Sequence, residues 1–297
     1  MNMVRDLAGE DLKIVLIGAD GQLGSDLKRV FGEKRLIPLY YPDFDLTRTG
    51  DAEKQIKSAR PDVVINTAAF NKVDECENNM PAAFELNGYA VRNLAQWCLD
   101  SDSVLVHFST DYVFDGRKSS PYTESDSPNP LNVYGVSKLC GEYFTLNAQK
   151  DNILIRTSGL YGWAGCWGKG YNFVDTMISL AKKSRKIKIV NDQWVTPTHT
   201  GDLAGRVKDV MAKGGQGLFH LTNEGECTWF RFAQEIFAQT GLNPEVEAVS
   251  SAAYPSEARR PEYSVLENRR AAQMGIPPMR HWKDALKDYL NIKGYIS

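Results

Sequence analysis

Through its first 160 residues the chain alternates two patterns. Short apolar runs occur in "KIVLIG", "RLIPLY", "DVVINTAA", "SVLVHFST" and "NILIRTSGLYG". Runs of this length with few polar interruptions fit strands buried on both faces. Between them lie segments with apolar residues at helical spacing: Leu23 to Phe31, "DAEKQIKSARP" ending at Pro61, "NMPAAFELNGYAVRNLAQWCLDS" with Pro81 near its start, and "VYGVSKLCGEYFTLNAQ". Strand alternating with helix predicts an α/β fold, a doubly wound parallel sheet of Rossmann-like type.

The texture changes after Tyr161. "GWAGCWGKGYNF" is glycine- and aromatic-rich. "NFVDTMISLAKKS" reads as a helix and "KIKIV" as a strand. "TGDLAGRVKDVMA" reads as a helix N-capped by Thr200, and "GLFHLTN" as a strand. "TWFRFAQEIFAQTG" is a helix closed by Gly241, "SSAAYPSEARRPEYS" an irregular loop, and "HWKDALKDYLN" a last helix. We therefore expect a dinucleotide-binding domain over 11–160, with 199–223 returning to it. A smaller C-terminal substrate-binding lobe would comprise 161–198 and 224–297.

Composition narrows the function classes. Of 297 residues, 35 are basic and 37 acidic, a net charge of -2. Such a balance gives no reason to expect nucleic acid or an anionic membrane as partner. The apolar runs are strand-sized, and "MNMVRDLAGE" lacks a hydrophobic signal region, so the cytoplasm is the expected location. The five cysteines (Cys76, Cys98, Cys140, Cys166, Cys227) form no C-x-x-C pair. His107, His199, His220 and His281 show no H-E-x-x-H spacing. All nine read as structural or incidental, with reduced thiols and no metal site.

Candidate chemistry begins at "GADGQLG", which sets Gly18, Gly21 and Gly24 between a strand and a helix. The first glycine permits a tight turn, the second lets a pyrophosphate approach the backbone, and the third lets helix and strand pack closely. The free N–H groups and positive end of the helix favour phosphate there. No acid directly ends the second strand to read an NAD ribose, and no arginine follows it closely to read an NADP phosphate, so NADPH or NADH stays open. Asp45 is placed to approach the adenine end of a nucleotide, but alone it reads equally as a helix cap or a loop acid.

A second candidate is "NVYGVSK", with Tyr134 and Lys138 one helical turn apart. Tyr289 and Lys293 repeat the spacing without chemical neighbours and read as structural. Tyr134 opens a helix 24 residues after Thr110, which ends the strand "VLVHFST" at the sheet edge where ligands bind. Lowering a tyrosine from ~10 to about 7 takes roughly 4 kcal/mol. An ammonium about 5 Å away at an effective dielectric near ~20 supplies about 3 kcal/mol. We therefore expect Lys138 to acidify Tyr134. The phenol would protonate a ketone oxygen oriented by Thr110, while Lys138 also holds the ribose hydroxyls.

"GADGQLG", "NTAAF", "FSTDYVFDG" and "YGVSK" together resemble the extended short-chain dehydrogenase/reductase superfamily. More narrowly, "FSTDYVFDG", "SPNPLNVYGVSK", "RTSGLYG", "GYNFV", "DQWVTPT" and "ARRPEYS", in this order, resemble the dTDP-4-dehydrorhamnose reductase family from Lys13 to the last helix. The resemblance implies Thr110, Tyr134 and Lys138 as catalytic residues. It implies nicotinamide nucleotide contacts at Gly18, Gly21, Gln22, Leu23, Gly24, Asp45, Leu46, Ala68, Ala69 and Phe70, as well as Tyr134 and Lys138. Thr110, Asp111 and Asn172 would meet a dTDP-linked 4-keto-6-deoxy sugar, which the reaction would reduce to dTDP-L-rhamnose.

One position departs from the family. Some members carry a tryptophan right after "RTS" that packs on the substrate; here it is Gly159. Trp163 or Trp167 would replace it, or serve only as a surface or core aromatic. Arg259 and Arg260 would grip the pyrophosphate through charge-assisted forks, or lie solvated. Among rivals, a 4,6-dehydratase needs Thr-Asp-Glu, whereas here Tyr112 follows Thr110 and Asp111. An epimerase with tightly held NAD, a non-catalytic regulatory relative and a homodimer all stay open.

Overall fold

The computed structural model describes residues 7, 9, 11–165, 170–183, 186–253 and 256–296. Its centre is a six-stranded parallel sheet. The strands are β1 (Ile14–Ile17), β2 (Leu36–Leu39), β3 (Val63–Asn66), β4 (Val104–Thr110), β5 (Ile153–Thr157) and β6 (Gly217–His220), in the order β6-β5-β4-β3-β1-β2. The order reverses between β1 and β3, which opens a crevice at the carboxyl ends of those strands.

Alternation along each strand explains the helices on both faces. Ile14, Leu16, Val63, Ile65, Val104, Val106, Ile153 and Ile155 point to one side, against Leu23 and Leu27 of helix Gln22–Phe31 and Leu203 and Val207 of helix Thr200–Ala212. Val15, Ile17, Val64 and Leu105 point to the other, against Ile56, Leu94 and Trp97. A separate core joins Val174, Ile178, Ile187, Ile189, Phe232, Ile236, Trp282 and Leu286 around helices Phe173–Lys183, Trp229–Thr240 and Trp282–Ile292.

Three local readings change. The long segment after Pro81 is not one regular helix: Met80–Phe84 and Ala90–Asp100 flank a π-helical turn, Glu85–Tyr89. Thr200 is not an N-cap. His199 holds that position, and the Thr200 hydroxyl instead donates to buried Asp26 at 2.5 Å. A strand the pattern did not suggest, Glu245–Val249, pairs in parallel with Lys186–Val190. "EVEAV" has too few apolar residues to signal itself, and its burial pattern is correspondingly shallow.

Candidate active site

A cavity of about 640 Å³ opens at the sheet's carboxyl edge. Gly18, Gly21, Gln22 and Leu23 form one wall, and Ala68, Ala69 and Phe70 another, with Asp45 and Leu46 at one end. Thr110, Asp111, Tyr134 and Lys138 line it too.

Close packing builds the first wall. A Cβ on Gly24 would lie 2.1 Å from the Gly18 carbonyl oxygen, so only glycine lets the helix start this near the turn. Gly24 itself is therefore a packing residue outside the cavity lining. Gly21, at the helix N-cap, has no side chain to cap the first N–H groups, which leaves them for an anion.

The Tyr134 helix, Val133–Ala148, is capped by Asn132, whose side chain accepts from Gly135 N–H at 2.8 Å. A Cβ on Gly135 would sit 2.2 Å from the Tyr112 carbonyl. That bare Cα brings the helix onto the turn after β4, and Tyr134 into hydrogen-bonding reach of Thr110. Asn87, which sequence reasoning missed, braces the same region. It accepts from Phe70 N–H at 2.9 Å and donates to the Phe70 carbonyl and Ser137 Oγ, both at 3.0 Å. It sits in the π-helical turn, a feature frequent near functional sites but without a sequence signal here.

The electrostatics differ from expectation. Burial, then the Asp111 charge, push the Tyr134 phenol above its ordinary range, and hydrogen bonding with Thr110 opposes them only in part. In the protein alone the phenol is thus held protonated rather than acidified by Lys138. Burial lowers Lys138 to about 8, against the upward pull of Glu142. Burial also raises Asp111 to about 6, although Ser264, Ser158 and Thr110 all donate to its carboxylate. Beneath the site lies a buried ion pair, Arg156 to Glu142 at 2.6 Å, with Ser109 donating to Glu142 at 2.5 Å.

Several nominated residues lie elsewhere. Trp163 is half-exposed beneath Lys293, whose Nζ is 5.3 Å from the ring centre, and is not in the cavity wall. Trp167 and Cys166 lie outside the described residues. Asn172 is buried in the second core: it donates to the Tyr289 hydroxyl at 2.8 Å and accepts from Asp175 N–H. Tyr289 donates in turn to Asp175, and Lys293 lies 3.9 Å from the same carboxylate, so the second Tyr-x-x-x-Lys pair is part of this packing. Arg260 forks onto Asp74 at 2.7 and 3.2 Å and, with Arg259, lines a second, polar cavity of about 570 Å³. Tyr112 connects the two cavities: it lines the first and hydrogen-bonds Arg260.

From the smaller lobe, Phe173 and Trp229, with ring centres 4.7 Å apart, line the first cavity, as does Gly159. Sequence reasoning assigned both to helices. Their only signal was position, at the first residues of two helices in the smaller lobe.

The cavity wall also suits a nucleotide. Gln22 Oε1 and Thr157 Oγ1, both buried and both in lining residues, have no hydrogen-bond partner within the protein. Buried polar atoms are rarely left so.

A family model, the RmlD substrate binding domain, matches residues 12–294. The spore coat polysaccharide biosynthesis protein SpsK of Bacillus subtilis is 36% identical over 94% of this chain and 96% of its own. A crystal structure of a dTDP-4-dehydrorhamnose reductase from Clostridium acetobutylicum superposes with a TM-score of 0.90 at 39% identity, over 95% of this chain and 100% of that one. A dTDP-4-dehydrorhamnose reductase from Bacillus anthracis in complex with NADP also reaches 0.90, at 32% identity, over 95% of this chain and 99% of that one. With model and relatives spanning nearly the whole chain, the protein belongs to the RmlD substrate-binding-domain family.

Proposed function

We propose that the chain is an NAD(P)H-dependent oxidoreductase that reduces the 4-keto group of dTDP-6-deoxy-L-lyxo-4-hexulose to give dTDP-L-rhamnose. The observation that carries this reading is one cavity holding the glycine turn, Thr110, Tyr134 and Lys138 together. Residues 11–160 with 199–223 act as the dinucleotide-binding domain. The smaller lobe, 161–198 and 224–297, receives the sugar nucleotide.

The turn at Gly18–Leu23 receives the pyrophosphate on free helix N–H groups, Asp45 and Leu46 take the adenosine end, and Ala68–Phe70 back the nucleotide. When bound, the reduced nicotinamide supplies hydride to the sugar's C4. Tyr134, kept protonated by its surroundings, donates its proton to the carbonyl oxygen. Thr110 donates to Asp111 at 3.0 Å and accepts from Tyr112 N–H at 3.1 Å, which fixes its hydroxyl at the same point. Lys138 holds ribose hydroxyls. Asp111 joins the end of β4 to Ser158 and Ser264, so it sets the substrate's seat from beneath.

The sugar packs on Phe173 and Trp229. Arg260 and Arg259 present guanidinium groups to the diphosphate in the second cavity. Val136 and Tyr143 lie exposed two turns apart on the Tyr134 helix and form the proposed face for a homodimer, which sedimentation of the chain and of Tyr143→Glu tests. No helix among the described residues is long and apolar enough to cross a membrane. We place the reaction in the cytoplasm.

The test mixes the protein with the dTDP-linked keto sugar and NADPH or NADH and follows loss of reduced-nicotinamide absorbance. Oxidation that depends on the sugar is expected, and none with either nucleotide overturns the reading. Protein purified with tightly bound NAD would point to an epimerase instead.

A further inference from the structure

The stretches "DQWVTPT" and "ARRPEYS" lie far apart in the chain and meet in the fold. Trp194 forms an isolated parallel bridge with Tyr263. Its N–H donates to the Glu262 carbonyl at 2.8 Å, and its own carbonyl accepts from Ser264 N–H at 2.9 Å. Both aromatic residues line the second cavity, with Leu131. Each ring is held in place. The Tyr263 hydroxyl donates to Glu226 at 2.6 Å. The Arg231 guanidinium lies 5.0 Å from the Trp194 ring centre, and Trp194 pairs on its other edge with Thr228. Both residues are nonetheless only half-buried. A ring that is already pinned loses little freedom when a flat ligand lands on it.

This aromatic pair is tied to the first cavity at two points. The Ser264 hydroxyl, next to Tyr263, donates to Asp111 at 2.6 Å, and Asp111 lines the first cavity. Arg260 hydrogen-bonds Tyr112, which lines it too. The seam between them is close-packed: a Cβ on Gly116 would lie 2.6 Å from the Glu262 nitrogen and 2.7 Å from Pro261 Cβ. Most cations of the second cavity are committed. Lys118 pairs with Asp126 at 2.7 Å, Arg260 with Asp74 at 2.7 Å, and Arg117 lies 4.0 Å from Asp115. Arg259 makes no ion pair among the described residues. The cavity thus offers an uncommitted guanidinium beside two pinned rings. A site for phosphate alone has no use for the rings, whereas a nucleotide uses both.

We propose that Trp194 and Tyr263 form the shelf on which the base of the sugar nucleotide stacks. The proposal deepens the reading above and rests on it for the identity of that base, thymine. With the keto sugar at Thr110 and Tyr134 and the diphosphate at Arg259 and Arg260, the nucleoside is the one part of the substrate without a seat. It is bonded to the diphosphate, so it lies beside those arginines, and the second cavity supplies aromatic surface there. The nicotinamide nucleotide does not compete for the shelf, because its adenosine end lies by Asp45 and Leu46 in the first cavity. Stacking accepts any flat base, so the shelf supplies affinity and leaves the choice of sugar to the first cavity.

The test is calorimetry on the full chain, with oxidised NADP present to occupy the Gly18 turn. It needs no turnover, so it stands apart from the keto-sugar assay. The probes are dTDP and inorganic pyrophosphate. dTDP is expected to bind at least about tenfold more tightly than pyrophosphate. Trp194→Leu and Tyr263→Leu should each weaken dTDP roughly tenfold, the scale of one lost ring–base stack, and leave pyrophosphate unchanged. Saturation-transfer NMR on the native chain should place the strongest dTDP signals on the thymine methyl and H6, which decides the question if neither variant folds. Pyrophosphate binding as tightly as dTDP, a dTDP affinity unmoved in both variants, or base signals weaker than those of the sugar ring overturns the proposal. So does an equal loss for both probes, which would make the two rings supports of the Arg259–Arg260 loop.

Discussion

The wall that carries Gly18, Ala68, Thr110 and Tyr134 is made of strand ends and helix starts, tied by short hydrogen bonds and by glycine contacts that tolerate no Cβ. The other side, with Phe173 and Trp229 in the first cavity and the loop around Arg260 in the second, is made of ring faces and a partly exposed ion pair. Main-chain geometry fixes the first, and side-chain packing fixes the second. A proton transfer needs atoms held within a fraction of an ångström, so it falls to the rigid wall. Recognition of a particular sugar tolerates looser parts and can vary without disturbing the chemistry.

The largest effect expected from this contrast is at Tyr134. Tyr134→Phe removes the proposed proton donor but leaves the helix, its Asn132 cap and the Gly135 contact in place. We expect kcat to fall about 10²–10⁴-fold while the Kd for NADPH changes little, measured by steady-state kinetics and nucleotide fluorescence titration. A fall of less than about tenfold would place the donor elsewhere and break the contrast at its strongest point.

The rigid wall also rests on the Glu142–Arg156 pair, whose side chains are each 3% exposed. Glu142→Gln strands a buried guanidinium. Urea unfolding should show a loss of about 3–5 kcal/mol. Replacing both partners by apolar residues, Glu142→Leu with Arg156→Met, should recover most of it, because a buried pair repays its own desolvation poorly. A double variant as unstable as the single one would mean that the pair's worth lies in its geometry beneath Ser109.

These two walls were not equally legible in the sequence. Continuous apolar runs and the Gly18–Gly24 spacing write a doubly wound sheet and its phosphate turn directly into the residue order. The resemblance then supplied Ala68–Phe70 and Asp45–Leu46, which the structure places in the same cavity. Asn87 and the π-helical turn were not legible, because one widened turn adds about a single residue to an otherwise helical apolar pattern, too small a shift to stand out. The proton balance at Tyr134 was misjudged: spacing gives the distance to Lys138, but not the burial and the Asp111 charge that outweigh it. The aromatic wall was missed because Phe173 and Trp229 come from helices far apart in the chain. Trp163, nearer Gly159 in sequence, turns instead toward Lys293.

Trp229 sharpens the contrast. Trp229→Ala should raise the KM for the sugar nucleotide roughly tenfold, the scale of one lost ring contact of about 1–2 kcal/mol. The Kd for NADPH should be unchanged, and kcat at saturating sugar should fall much less than in Tyr134→Phe. If nucleotide affinity fell equally, Trp229 would belong to the nucleotide's wall, and the two faces would not divide the work.

The smallest effect on stability is expected at Asp74, where the side built from side-chain contacts meets the side built from main-chain geometry. Its carboxylate receives Arg260, the Ala258 N–H at 3.0 Å and the Ser256 hydroxyl at 2.9 Å, so one acid at the start of a short helix fastens the loop that carries Arg260. Burial alone would raise its proton affinity, but the donors from Ala258, Arg260 and Ser256 outweigh that and leave it below the ordinary carboxylate range. A depressed carboxylate stabilises the fold above its unfolded value, near ~4, and loses that contribution as pH falls through the lower folded value. Because the Asp74 and Arg260 side chains are 44% and 24% exposed, solvent screens the pair, and Asp74→Ala should cost under about 1 kcal/mol at neutral pH. The deficit should shrink below pH ~4 as the wild-type acid is protonated. The KM for the sugar nucleotide should nonetheless rise several-fold, because Arg260 loses its orientation. Denaturation across pH and steady-state kinetics read the two effects separately. A large stability loss with an unchanged KM would make Asp74 a brace of the fold and leave Arg260 without a part in binding.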